Sequence, residues 1–207
     1  MTGDRLTILT YHAVDGHDSV ISVSPTLFRK QMELLAKNDI QGISLRQAFQ
    51  HQRTKGHFPS RSVVITFDDG YLSVYEEALP ALAKLGMTAT VFLPTDFIDL
   101  DAEKLQLRSE QRGRERMKPH HIEALARAEF EIGAHTMSHP DLTRLSACQR
   151  EREIALSQQF LEQHFDQPVK SFAYPYGYYD EAIRNETAGH FDYACTTELG
   201  HNTPGQD

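Results

Sequence analysis

The sequence predicts an α/β fold built on a parallel sheet of about six or seven strands. Short apolar runs rich in β-branched residues alternate with longer runs of helical period, which is typical of βαβ units. Polar residues follow several of the apolar runs directly. Because the carboxyl ends of parallel strands share one face, we expect that face to carry the functional site.

Predicted strands and helices alternate six times along the chain. A proline or a capping residue precedes several of the helices, and Gly86 follows the third. Six strands are fewer than the seven or eight that close a barrel, so a (β/α) barrel would be distorted and incomplete. Either it stays open or a C-terminal strand is missing. The predicted strands are residues 6–12, 63–69, 89–94, 130–135, 171–175 and 193–197, and the predicted helices are residues 26–38, 45–52, 73–85, 119–128, 146–165 and 179–190.

Length and composition predict one domain over residues 1–207, with a charge-dense surface insertion at residues 99–118. The net charge of -8 argues against a nucleic-acid partner, which would need a basic face. No apolar run is long enough to span a bilayer, and no signal-peptide pattern opens the chain. Localisation stays unknown, cytoplasmic by default, and the oligomeric state is not predicted.

The second predicted strand ends in the adjacent carboxylates Asp68 and Asp69. Two such groups repel each other unless a cation or a donor lies nearby. Since neighbouring strand residues point to opposite faces, one carboxylate can bind a metal while the other acts as a base. The alternative is a turn in which these residues only cap the following helix.

The fourth predicted strand leads into His135 and His139, which are four residues apart. This spacing suits two ligands on one helical turn or in a tight loop. Two imidazoles and a carboxylate are a frequent set for catalytic zinc, with a position left open for water or substrate. The alternative is a pair of surface histidines. Convergence of the strand ends favours the metal site.

Three segments together resemble a known family. They are residues 66–70 (Thr-Phe-Asp-Asp-Gly), 135–139 (His-Thr-Met-Ser-His) and 172–177 (Phe-Ala-Tyr-Pro-Tyr-Gly). Their order and spacing resemble those of the NodB-type polysaccharide deacetylases, carbohydrate esterase family 4. The resemblance implies a distorted (β/α) barrel, a divalent metal that is usually zinc, and hydrolysis of N-acetyl groups on glucosamine-type sugars in a polysaccharide.

The resemblance also implies roles for individual residues. The metal ligands would be Asp69, His135 and His139, and Asp68 would be the general base. An aspartate with its usual pKa of about 3.9 would be ionised at neutral pH. The backbone N–H of Tyr176 would stabilise the oxyanion.

Two features depart from the family pattern. Ala173 stands where the third motif usually begins with an arginine that orients the base, and no C-terminal Leu-x-His motif supplies the acid. The segment 11–14 (Tyr-His-Ala-Val) resembles a circularly permuted subgroup related to poly-N-acetylglucosamine deacetylases, whose acid comes from the first strand. We therefore hypothesise that His12 is the acid; the alternative is a histidine with only a structural hydrogen bond.

Two other functions are compatible with the sequence. The same scaffold could hydrolyse a small amide or a cyclic imide, although the intact Asp-His-His set argues against its metal-free versions. A non-catalytic carbohydrate-binding relative is the other alternative, and Ala173 with the short C-terminus is its best support.

Overall fold

The computed structural model of the protein describes residues 5–98, 115–200 and 202–203. The predicted α/β architecture is confirmed: a curled parallel sheet is surrounded by helices and forms an incomplete (β/α) barrel. The strands are β1 (Ile8–Tyr11), β2 (Ala13–Val14), β3 (Ser22–Val23), β4 (Gln41–Ile43), β5 (Ser62–Phe67), β6 (Thr90–Leu93), β7 (Glu131–Ala134), β8 (Ser171–Ala173) and β9 (Tyr193–Cys195).

Seven of these strands form the main sheet. Six of them follow one another in the order β1, β5, β6, β7, β8, β9, and all their pairings are parallel. The seventh, β4, pairs with the first half of β5, and its Gly42 carbonyl accepts a hydrogen bond from the N–H of Thr88. The sequence did not predict β4, because three residues centred on a glycine carry no strand periodicity.

The helices lie close to their predicted positions. The predicted helix at 73–85 is instead a π-helical turn, Val74–Ala78, followed by a short α-helix. The N–H of Leu79 donates to the carbonyl of Val74, and the next residue, Pro80, has no N–H to donate. The α-helices are α1 (Pro25–Lys37), α2 (Leu45–Lys55), α3 (Leu79–Lys84), α4 (Pro119–Arg127), α5 (Ala147–Phe165) and α6 (Glu181–Ala188).

Apolar side chains fill both faces of the sheet. The outer cluster, between the sheet and the helices, includes Phe28, Phe67 and Ile154. The inner cluster, on the concave face, includes Phe92 and Ala173. Since all six residues of β5 are buried, its apolar residues do not alternate with exposed polar ones: Val63, Val64 and Ile65 are consecutive, and the two polar residues, Ser62 and Thr66, are buried as well.

Helix α2 covers the end of the sheet where the strands begin. Its residues Leu45 and Ala48 join the inner cluster. The buried carboxylate of Glu131 accepts hydrogen bonds from the backbone N–H of Arg46 at 2.7 Å and from the hydroxyl of Thr90 at 2.8 Å. This end of the sheet is therefore closed, and the opposite end, where the strands finish, is left for the candidate site.

The two outermost strands, β1 and β9, do not pair with each other within the described residues. Past β9, Asn202 forms an antiparallel bridge with Leu6, whose N–H donates to the Asn202 carbonyl at 2.8 Å. The sequence indicated no closing element in this last segment.

Most of the predicted insertion at 99–118 lies outside the described residues. No described helix is long and apolar enough to cross a membrane.

Candidate metal centre

The carboxylates Asp68 and Asp69 lie immediately beyond β5. The N–H of Asp68 extends the ladder to β1 by donating to the Tyr11 carbonyl at 3.0 Å. The chain then turns sharply, because Asp69 and Gly70 have φ angles of 72° and 66°. This turn, and not simple strand alternation, separates the two carboxylates. A Cβ at position 70 would lie 2.9 Å from Leu93, so glycine suits this turn in both conformation and space.

The two histidines lie at the ends of a tight loop that follows β7, and not on a helix. The N–H of His135 donates to the carbonyl of Leu93 at 3.1 Å, so its position follows directly from the sheet. The chain then curls back, with φ angles of 66° at Thr136 and 60° at His139. The two imidazole rings meet edge to face, with their centroids 4.7 Å apart.

The structure brings Asp69, His135 and His139 together in a group that could hold a metal ion. One ligand atom from each residue lies within 4.8 Å of the others. The Oδ1 atom of Asp69 is 3.3 Å from Nε2 of His139 and 3.8 Å from Nε2 of His135. A carboxylate and two imidazoles are a usual donor set for a divalent transition metal.

A contact with the backbone of Ala173 makes His135 suitable for binding a metal through Nε2. Its Nδ1 lies 2.6 Å from the carbonyl oxygen of Ala173, which can only accept a hydrogen bond. The proton of the neutral ring is therefore placed on Nδ1, and the lone pair of Nε2 faces Asp69. Metal-binding histidines commonly have such a partner on the other nitrogen. Burial and the neighbouring His139 lower the pKa of His135 to about 4, so the ring is neutral at pH 7.

The pKa of Asp69 is also suited to binding a cation. Burial pushes this pKa upward, but the charges of His135, His139 and Arg116 more than offset that effect. The net result is a pKa below the usual value. Asp69 is therefore ionised over the whole neutral range.

The pKa of Asp68 is shifted in the opposite direction from that of Asp69. Burial, with the adjacent charge of Asp69, raises its pKa to about 8, so the expectation of an ordinary pKa was wrong. Within the part of the chain that the structure describes, its Oδ1 has no hydrogen-bond partner. An unpartnered buried carboxyl is costly, and a neighbouring cation would favour its ionised form.

His12 is half-buried and directly follows β1. Burial lowers the pKa of its imidazole, the charge of Asp69 raises it, and that of Arg116 lowers it, with a net decrease. The structure therefore places His12 within electrostatic range of the candidate metal ligand Asp69. Its role as the acid stays a prediction.

Tyr176 lies in a strained turn after β8. It has a left-handed φ of 61°, and the next residue, Gly177, has a φ of 74°. A Cβ at Gly177 would collide with the backbone and side chain of Thr197. The Tyr176 ring meets His139 edge to face at 4.7 Å, which places the turn beside the ligand group. The role of its N–H stays a prediction.

The tyrosines around this turn fall into two pairs. Tyr174 is buried and stacks on Tyr179, with their ring centroids 5.0 Å apart. Tyr176 and Tyr178 are exposed, with centroids 6.0 Å apart. The first pair contributes to the core, and the second is available to a ligand at the open end of the sheet.

Sequence reasoning did not assign Arg116 to the site. This residue lies inside the predicted insertion, and its guanidinium donates to the Asp69 carbonyl and lies over the ring of Tyr71, 3.8 Å from its centroid. The neighbouring backbone is paired with the turn, since the N–H of Met117 donates to the Gly70 carbonyl at 2.9 Å. The sequence did contain one indication of such a residue: Ala173 occupies the position of the family's usual arginine, so an arginine from elsewhere in the chain could take its place beside the base.

A family model for polysaccharide deacetylases matches residues 55–191. A Bacillus subtilis protein provisionally named as a polysaccharide deacetylase is 31% identical over 198 residues, which cover 95% of this chain and 66% of that protein. A poly-β-1,6-N-acetyl-D-glucosamine N-deacetylase of Staphylococcus aureus is 31% identical over 163 residues, covering 75% of this chain and 54% of the relative. The chain thus spans between half and two thirds of these relatives.

Solved structures show the same fold. A Streptococcus pyogenes deacetylase, determined in complex with acetate, superposes with a TM-score of 0.83 at 22% identity, covering 96% of this chain and 86% of that one. At this level of identity the likeness concerns the fold alone.

Proposed function

The chain belongs to the polysaccharide deacetylase family, and on that premise we propose that it is a metal-dependent hydrolase that removes acetyl groups from N-acetylglucosamine-type sugars in a polysaccharide. One observation carries the proposal: the group of Asp69, His135 and His139, of which the first two are buried and the third partly so, adjoins the buried carboxyl of Asp68, whose Oδ1 has no partner among the described residues. This combination suits amide hydrolysis, which needs both an electrophilic centre and a base.

Asp69, His135 and His139 would hold the metal. Zinc is the ion we propose, because it commonly binds two imidazoles and a carboxylate, with His135 already in the required tautomer. When bound, such an ion supplies Lewis acidity that polarises the acetyl carbonyl and lowers the pKa of water. Its charge would also favour the ionised form of Asp68, whose pKa is otherwise about 8.

The chain's own residues would then move the protons. Asp68 accepts a proton from the water that attacks the carbonyl carbon, and the N–H of Tyr176 donates to the oxyanion that forms. The carbon–nitrogen bond breaks as protonated His12 gives a proton to the amine nitrogen. Acetate and the free amino sugar are the products. The low pKa of His12 favours donation to the amine but leaves few molecules protonated at neutral pH.

The names of the relatives support the substrate class. One relative is named for poly-β-1,6-N-acetyl-D-glucosamine and another for polysaccharide in general. The exposed rings of Tyr176 and Tyr178 beside the ligand group offer flat apolar surfaces on which a sugar ring could pack. We therefore propose a polymeric acetylated sugar as the substrate, in preference to a small amide or a cyclic imide.

Metal analysis and acetate release test this function together. The purified protein should contain about one zinc ion per chain, and it should release acetate from N-acetylglucosamine oligomers. A chelator should abolish release, and added zinc should restore it. If the zinc-loaded protein releases acetate from no acetylated sugar, the proposal is wrong, and hydrolysis of small amides becomes the next function to assay.

A further inference from the structure

The loop that carries His135 and His139 has a backbone conformation that its own sequence does not favour. Thr136 and His139 both adopt left-handed φ angles, 66° and 60°, which residues other than glycine rarely adopt and which a β-branched residue such as threonine adopts least readily. The loop contains no glycine. Contacts from outside it must therefore maintain this conformation.

One side of the loop is held by backbone groups that follow β6. The N–H of Thr95 donates to the carbonyl of Thr136 at 3.1 Å, and the N–H of Asp96 donates to that of Met137 at 2.8 Å. Inside the loop, the N–H of His139 donates to the hydroxyl of Thr136 at 3.0 Å. These contacts provide donors for the carbonyls of Thr136 and Met137. The N–H groups of Met137 and Ser138, at the tip of the loop, donate to a different partner.

That partner is Glu153 on helix α5. Its Oε2 accepts hydrogen bonds from the N–H of Met137 at 2.8 Å and from the N–H of Ser138 at 2.9 Å. Its Oε1 accepts a hydrogen bond from the hydroxyl of Ser138 at 2.7 Å. Hydrogen bonds to an ionised acceptor are stronger than those between neutral groups. A single side chain thus binds two consecutive loop amides and the hydroxyl between the two histidines.

We propose that Glu153 is a positioning residue for the metal centre, which holds the 137–138 backbone so that His135 and His139 present their Nε2 atoms to Asp69. It is not a catalytic residue, because its carboxylate is engaged with the loop. The inference rests on the proposed metal-dependent function. It extends the site to a helix whose sequence pattern indicates only a helix start and a buried face.

Four proteins test the inference: the wild type, Glu153→Ala, Glu153→Gln and Glu151→Gln. The last is the matched control, since Glu151 lies on the same helix but its carboxylate is 3.2 Å from His190, away from the loop. Zinc affinity is measured by competition with a chromophoric chelator. Hydrogen exchange of the Met137 and Ser138 amides is measured in metal-free protein, and the visible absorption spectrum is recorded with cobalt(II) in place of zinc.

Glu153→Ala should weaken zinc binding about 10–100-fold, the usual effect of removing a partner that orients a ligand. It should also accelerate exchange at the two amides and alter the cobalt spectrum. Glu153→Gln retains an acceptor oxygen, so we expect a smaller loss. Glu151→Gln should match the wild type in every measurement.

Unchanged zinc affinity, amide exchange and cobalt spectrum in Glu153→Ala would overturn the inference. Equal losses in Glu151→Gln would do the same, because they would indicate a general effect on the helix. None of these measurements uses a sugar. If the wild type binds zinc but releases no acetate, the proposed function fails while the role of Glu153 is still decided by its own result.

Discussion

Asp68 and Glu131 are buried carboxyl groups at opposite ends of the same sheet, and they differ in their partners. Glu131 is 3% exposed and accepts hydrogen bonds from the N–H of Arg46 and the hydroxyl of Thr90. Asp68 is 9% exposed, and its Oδ1 has no partner within the described residues. Burial alone therefore does not distinguish a structural carboxylate from a functional one, but the hydrogen-bond partners do.

The two groups also act on different parts of the molecule. Glu131 lies on β7 and connects it to α2 by accepting the N–H of Arg46 in the first helical turn. A carboxylate at this end of a helix interacts favourably with the helix dipole. Asp68 adjoins the candidate metal ligands at the end where the strands finish. Substitution of Asp68 should accordingly affect mainly activity, and substitution of Glu131 mainly stability.

The largest effect is expected for Asp68→Asn, which removes the proposed base while keeping the shape of the side chain. The turnover number should fall about 10²–10⁴-fold, as is usual for loss of a general base. Zinc content should stay near that of the wild type, and the thermal midpoint should not fall, because no hydrogen bond to Oδ1 is lost. Acetate release, metal analysis and thermal unfolding provide the three measurements, and near-normal turnover would exclude Asp68 as the base.

His12→Asn should have the next largest effect. Its imidazole is proposed to protonate the leaving amine, so turnover should fall by about 10²-fold or more. Zinc binding should be unaffected, since His12 is not one of the three clustered ligands. Steady-state kinetics on an N-acetylglucosamine oligomer provide the measurement. A variant that loses zinc together with activity would instead place His12 in the metal site.

Glu131→Ala should mainly affect stability. It leaves the N–H of Arg46 and the hydroxyl of Thr90 without their acceptor and opens a cavity, at a cost of roughly 3 kcal/mol in the free energy of unfolding. For a chain of this size, that corresponds to a fall in Tm of roughly 6–12 °C. The folded fraction should keep near wild-type zinc affinity and turnover below the transition. A greater loss of activity than in Asp68→Asn would contradict the assignment.

The smallest effect concerns the pH dependence of stability in chelator-treated protein. The pKa of Asp68 is about 8 in the folded protein, against an ordinary value of 3.8 that applies to the unfolded chain, so unfolding releases its proton between these values. Stability should therefore fall as pH rises, by at most about 1.4 kcal/mol per pH unit. The lowered pKa values of His135 and His12 have the opposite sign, but they act below pH 6.5.

The informative interval is thus pH 6.5 to 8. Over it, the thermal midpoint of the chelator-treated wild type should drop by a few degrees, at about 2–4 °C per kcal/mol. Asp68→Asn cannot titrate at this position and should show a flatter dependence. Parallel slopes for the two proteins would show that the pKa of Asp68 is not raised.

The sequence by itself determined the α/β class, the strand that ends at the two aspartates, and the candidate ligands Asp69, His135 and His139. These features are local: β-branched runs, helical period and residue spacing are all visible within short windows. The ligand positions could be predicted to converge because parallel strands end on one face, and the resemblance gave their proposed roles.

Only the tertiary structure decided which groups contact these residues. The carbonyl of Ala173 sets the tautomer of His135, Arg116 contacts the backbone of Asp69, and Glu153 binds the histidine loop. Each of these partners is distant in sequence from the residue it contacts. Hydrogen-bond partners and pKa values depend on burial and on neighbours brought together by packing, and no local periodicity encodes them. Packing also explains why Asp68 and Glu131 differ in their hydrogen-bond partners. In the sequence, both are simply acidic residues at the ends of predicted strands.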